Sequence, residues 1–266
     1  MSVPATWEVL RLRLRSAMPL YPVAQPVALP AGPPSCVVCR GPVRPGYTRC
    51  YQCGLHRLCA AASPGGDLLA DAVVPICYAV KGTGYAAALW RYKSWPAPSA
   101  SAQTVLLALL LAFLNDHGGC VWRCAGMPSP DLLAVVPTGS GRPGPHPLLR
   151  LVSPYLRLPL IPLAIRPGEQ GRDLRVDRFV VGQSATGASV LLLDDSWVSG
   201  ASAQSAAAAL KLAGARRVAT VLLGRHINPA DPGTGAFAAG LTVRPYDPSS
   251  CAVHRHNCAD NRNRCI

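Results

Sequence analysis

Three short apolar runs constrain this chain most: Leu132–Val136, Val190–Leu193 and Val218–Leu223. A strand that is apolar at nearly every position is buried on both faces, as in a parallel sheet sandwiched between helices. Helical stretches fall between these runs. Residues 85–93 and 99–116 read as helices, the second mostly apolar. Residues 146–152 read as a short helix, and Ser202–Ala213 as an Ala/Leu helix stopped by Gly214. Residues 73–80 read as a further strand. Residues 158–164 read as a strand at an edge, because Pro159 and Pro162 cannot donate to a ladder. Strands alternating with helices predict an α/β fold, a doubly wound parallel sheet.

The chain has 266 residues, half of them apolar, and 15% charged. That is enough for a sizeable core. Its 27 prolines and 24 glycines make it loop-rich. Lys+Arg outnumber Asp+Glu by 26 to 13, but only Lys81, Lys93 and Lys211 are lysines. So arginine-heavy a bias partly reflects composition, and the net charge of +13 favours acidic or phosphorylated ligands without singling out nucleic acid. The longest apolar run, Val105–Leu114, is too short to span a bilayer and suits a buried helix. The first residues carry no continuous apolar segment of a leader peptide. A cytoplasmic chain with no membrane partner is expected, and its eleven cysteines then call for metal rather than disulfides.

Four parts are predicted: an N-terminal segment with a Pro-rich linker (1–35), a cysteine module (36–59), an α/β domain (60–228) and an irregular tail (229–266). In the module, Cys36-x2-Cys39 and Cys50-x2-Cys53 read as two hairpins offering four thiolates to a structural Zn²⁺. Four protein ligands leave no open position, so the metal holds structure rather than performing catalysis. His56 and Cys59 are weaker ligand candidates. Cys77, Cys120 and Cys124 read as buried structural cysteines. Cys251, His254, His256, Cys258 and Cys265 match no closed site.

Most telling for function is Val190–Ser202, VLLLDDSWVSGAS. It reads as a strand that ends, two adjacent carboxylates, and a loop of small residues entering a helix. Backbone N–H groups of Val198, Ser199, Gly200, Ala201 and Ser202, at a helix N-terminus, form an anion cradle. Asp194 and Asp195 repel a bare phosphate and need another partner, such as ribose hydroxyls or a hard cation. One loop then holds a sugar phosphate by both ends. The rival reading is an ordinary turn with Ser202 as its cap.

This segment resembles the ribose-phosphate signature of type I phosphoribosyltransferases: four apolar residues, two acids, three variable residues, then Ser/Thr-Gly-small-Ser/Thr. The resemblance extends to Leu132–Leu149, placed like that family's pyrophosphate loop. It includes residues 167–179, with Gln170, Leu174, Arg178 and Phe179, and also the Tyr92-Lys93 pair. With the preceding four-cysteine module, the chain looks like a ComF/GntX-type phosphoribosyltransferase-like protein over roughly residues 36–224. Gly-Pro-His-Pro (144–147) and Trp197 depart from that pattern.

The resemblance implies a type I phosphoribosyltransferase-like fold and Mg²⁺-dependent transfer of a phosphoribosyl group from phosphoribosyl pyrophosphate to a nitrogen nucleophile. Asp194 and Asp195 take the catalytic positions, holding the ribose. Thr138, Gly139, Ser140 and Arg142 line the pyrophosphate, and residues 167–179 form a mobile lid. His146 either reaches a phosphate or caps a helix. A second copy of the chain is a candidate partner. The alternative is a non-catalytic ComF-like adaptor in DNA uptake or processing that binds nucleic acid or a protein, although the aromatic residues do not cluster with the charge.

Overall fold

A computed structural model describes residues 21–26, 34–63, 65–138, 145–168, 171 and 173–253, with Val9, Leu12 and Ser16 as isolated positions. The elements are α1 (Tyr51–Ala61), β1 (Ala72–Val80), α2 (Gly84–Arg91), α3 (Ala100–Cys124), β2 (Leu132–Val135), α4 (Pro147–Val152), β3 (Leu163–Ile165), β4 (Phe179–Val181), β5 (Ser189–Trp197), α5 (Ala201–Leu212), β6 (Arg217–Ile227) and α6 (Gly235–Ala239).

Four strands form a parallel sheet in the order β1-β6-β5-β2. Alternation along each strand sends its side chains to two separate cores. Leu191, Leu193, Ala219, Val221 and Leu223 meet α2 and α3 on one face. Val190, Leu192, Val218 and Leu222 meet α5 and three of the module's cysteines on the other. Both faces are therefore covered, which explains why the strands carry so few polar residues.

The segment before β3 behaves as the proline argument requires. Leu133 N–H donates to the Pro159 carbonyl, and Ile161 N–H to the Leu133 carbonyl, so residues 159–161 lie beside β2. Pro159 uses only its acceptor there. The regular strand comes later than expected, at 163–165. It pairs antiparallel with β4, Ile165 opposite Phe179.

Helix α3 runs 25 residues and passes through Asn115–Gly119, where the sequence suggests a stop. Gly118 survives in the helix with the Trp122 ring against it. By length and composition the whole of α3, longer than the apolar run Val105–Leu114 within it, could cross a membrane. Yet 72% of its most apolar stretch is buried within the molecule.

Described residues toward both ends of the chain also pack on the sheet. Within the stretch read as linker, Val23 and Ala24 are buried. Tyr78 N–H donates to the Ala24 carbonyl, and Val23 pairs with Arg244. Beyond β6, Phe237 on α6 packs edge-on against Tyr78, while Tyr246 and Cys251–Val253 are buried against the α3 side of the sheet.

Candidate functional site

The site lies at the carboxyl ends of the parallel strands, where open α/β sheets bind ligands. Strand β5 does not stop before the acids. It continues through Asp194, Asp195 and Ser196 to Trp197, held by pairing with β6 at Asp194–Leu222 and Ser196–Gly224. The two carboxylates therefore belong to the strand itself, in environments of different character.

Asp195 is buried. Its Oδ2 accepts the Tyr92 hydroxyl at 2.5 Å and the Lys93 ammonium at 2.6 Å. Burial pushes its carboxyl pKa up, but the Lys93 charge, hydrogen bonds from Lys93 and Tyr92, and His146 outweigh burial and hold it below the ordinary range. Asp195 is thus a fixed anion. Asp194 is half-buried, and its Oδ1 accepts the N–H of Asp195 at 2.8 Å. Burial first, then the neighbouring Asp195 charge, pushes Asp194 up to about 8. Side by side stand one committed carboxylate and one that keeps a proton well above the usual pH.

The Tyr92-Lys93 pair, noted in the sequence only as a resemblance, thus has a physical role: it follows α2 and pins Asp195. His146 fills two roles at once. Its Nδ1 accepts from Leu148 N–H and caps α4, while Nε2 faces Asp195 Oδ2 at 4.0 Å. His146 also lines a cleft of about 280 Å³ with Thr138, Pro145, Leu160 and Ile161. Neither aspartate is among the residues lining that cleft; His146 bridges the two places. Gly139, Ser140 and Arg142 lie outside the described residues, as do Gln170, Arg172, His254, His256, Cys258 and Cys265.

After β5 the chain turns through Val198 and Ser199 into α5. Val198 is exposed, Ser199 and Ser202 are half-buried, and Gly200 and Ala201 are buried. Ser199 Oγ accepts the Ala201 N–H at 3.3 Å. Ser202 is not the cap. That position belongs to Gly200, in the left-handed region with φ +86°. A Cβ there would be strained and would overlap the Trp197 ring. Trp197, expected in the loop, is the last residue of β5 and is fully buried, its ring edge-on to His56.

Only part of 167–179 lies among the described residues. The segment joins β3 to β4, and Arg175 N–H donates to Ser205 Oγ on α5. Arg178 lies over the Phe179 ring, and Phe179 is buried.

The cysteine module departs from two hairpins. Cys36 and Cys39 sit on a turn closed by Arg40 N–H to the Cys36 carbonyl, with Arg40 at φ +58°. Cys50 is the N-cap of α1, and Cys53 lies in its first turn. Thiolates are favoured at such a helix start. The four sulfurs lie within 4.8 Å of one another, with Cys39 and Cys50 at 3.7 Å. Tetrahedral zinc–thiolate bonds require sulfur–sulfur edges of about 3.8 Å. Hydrogen bonds from Cys39, Cys50 and Cys53 pull the Cys36 thiol far down, while Cys53 is pushed far up by its three neighbours. Four sulfurs that compete for protons in this way are complementary to a cation. His56 packs against Trp197 and Cys59 is exposed, so neither joins the cluster.

Sequence reasoning missed Arg225, at the end of β6. Its Nη1 donates to the carbonyls of Trp197, Val198 and His226. The guanidinium also fills the space a Cβ would need at Gly41 in the cysteine turn. A buried arginine after the apolar VLLG of β6 was the available signal.

No family model matches this chain, and no curated protein matches it. Among solved structures it is similar to a purine phosphoribosyltransferase from Pyrococcus horikoshii Ot3, at 14% identity and a TM-score of 0.30. The match covers 48% of this chain and 89% of that one. What the chain shows of itself is a mixed α/β protein with a parallel sheet and a four-cysteine cluster suited to a metal such as zinc. Its function has to be read from its own residues.

Proposed function

We propose that the chain is a type I phosphoribosyltransferase-like protein that binds phosphoribosyl pyrophosphate with Mg²⁺ and transfers the phosphoribosyl group to a nitrogen nucleophile. The observation that carries this reading is the carboxyl end of β5. There, a clamped carboxylate and a proton-retaining one precede a turn of small residues into the N-terminus of α5. In this reading the 5′-phosphate sits on backbone N–H groups among Val198–Ser202, with the α5 dipole favouring its charge. Asp194 and Asp195 accept the ribose hydroxyls. Thr138 and the loop after it, with Gly139, Ser140 and Arg142, receive the pyrophosphate.

Departure of pyrophosphate leaves positive charge on the ribose. Asp195, kept ionised by Lys93 and Tyr92, stabilises that charge without reorganising. Mg²⁺ brought with the substrate would supply charge neutralisation of the leaving group, and Asp194 is the residue that would hold it, once its proton has passed to solvent. Zn²⁺ on Cys36, Cys39, Cys50 and Cys53 is structural.

The test is calorimetric titration with phosphoribosyl pyrophosphate, with and without Mg²⁺. Wild type should bind. The Asp194→Asn/Asp195→Asn variant, shown folded by circular dichroism, should lose about a hundredfold in affinity. Unchanged binding in a folded double variant would overturn the assignment.

One observation favours the adaptor reading. Trp90 and Trp95 are 69% and 67% exposed, and Arg91 beside Trp90 is exposed as well. Exposed aromatics beside a cation suit stacking on single-stranded nucleic acid. Salt-dependent binding of an oligonucleotide, without turnover of the sugar phosphate, would move the assignment to that reading.

A further inference from the structure

The cysteines of α3 and the C-terminal segment form a second cluster, remote in sequence from the first module. His117 and Cys120 lie one turn apart on α3 and so share a face. Cys251 comes to them from a segment 131 residues beyond Cys120. One potential ligand atom from each lies within 4.8 Å of the others, and all three residues are buried. We propose that His117, Cys120 and Cys251 bind a second Zn²⁺, which fastens residues 246–253 to α3.

Three further features fit a metal better than an ordinary core. His117 Nε2 lies 2.9 Å from the Pro248 carbonyl. A ring nitrogen that donates to a carbonyl cannot also ligate, so Nδ1 is the atom that would meet the ion. Metal-bound histidines are oriented in this way by a carbonyl on the opposite nitrogen. The Val253 N–H points at Cys251 Sγ at 3.4 Å, two residues along the chain. The Arg123 guanidinium lies 3.6 Å from Cys120 Sγ. Each sulfur thus has a donor that stabilises a thiolate, the form zinc requires. An apolar core would gain nothing from pointing a guanidinium at one thiol and an imidazole at another. Two sulfurs and one nitrogen fill three corners of a tetrahedron, with the fourth left to a donor outside this trio.

The binding event is deprotonation of two thiols and capture of the ion, two protons going to solvent. The metal need not take part in phosphoribosyl chemistry, and its presence is independent of the function proposed above.

The decisive measurement is made on the full wild-type chain, expressed with added zinc and freed of loosely held metal by gel filtration. Elemental analysis should give two zinc ions per chain, and X-ray absorption at the zinc edge should show a nitrogen ligand beside sulfur. Cys251→Ser should reduce the zinc to one per chain and abolish the nitrogen signal. Wild type holding one zinc with sulfur ligands alone would overturn the proposal. So would a folded Cys251→Ser variant that keeps two ions. Because the first measurement uses wild type, misfolding of the variant leaves the proposal open to refutation.

Discussion

At the scale of single residues, Asp194 and Asp195 show how neighbours of identical chemistry are driven apart. Asp195 is ionised by its clamp, and its charge is one reason Asp194 holds a proton. The two leave opposite marks on stability. Asp194 is raised to about 8 in the folded chain against about 4 when unfolded. Between those pH values the folded state binds the extra proton, so this group's contribution to stability falls as pH rises and is gone above 8. Asp195, being lowered, contributes at neutral pH and is lost as acid titrates it. Asp194→Asn should flatten the fall between about pH 4 and 8 and raise the melting temperature at pH 9 by on the order of 5 °C. Thermal melts of both proteins from pH 5 to 9 check this; an unchanged slope below pH 8 would remove Asp194 as its cause.

At the scale of elements, the junction of β5 and α5 is set by one conformational requirement. Among the described residues, Gly200 alone combines a left-handed backbone with an indole lying where a side chain would go. Gly200→Ala should cost about 3 kcal/mol, strain and overlap together. Gly66→Ala, at φ +83° with open space around it, should cost only about 1 kcal/mol. Equal losses in urea denaturation would show that Trp197 gives way. The apolar runs of β2, β5 and β6 were legible in the sequence, because burial on two faces leaves no room for polar residues. The end of β5 was not, since two aspartates look like the end of a strand until β6 is seen pairing beside them. The length of α3 was hidden by Asn115–Gly119, a local breaker pattern overridden by packing. Helix α1 was hidden because its first turn doubles as half of a cysteine pair.

At the scale of the whole molecule, the cysteine cluster cannot be separated from the sheet. Cys36, Cys39 and Cys53 belong to the same core as Leu192, Leu222 and α5. Tyr78 on β1 donates its hydroxyl to the Arg40 carbonyl. The paired spacing revealed the four clustered cysteines. It carried no sign that their far side is the sheet, because Arg225 and Tyr78 lie far along the chain. With the proposed zinc in the cluster, a chelator should therefore lower the melting temperature of the entire chain in one transition, by on the order of 10 °C. Two separate transitions, the larger unmoved by chelator, would show the module to be independent.

The wedge of Arg225 between Gly41 and the Trp197 and Val198 carbonyls has a consequence for how this chain can vary. A guanidinium seated against backbone on both sides has no shorter or softer substitute, since lysine lacks the fork and leucine lacks the donors. Replacement at 225 must therefore be answered simultaneously in the knuckle and at the exit of β5, and those two places are free to drift only as a pair.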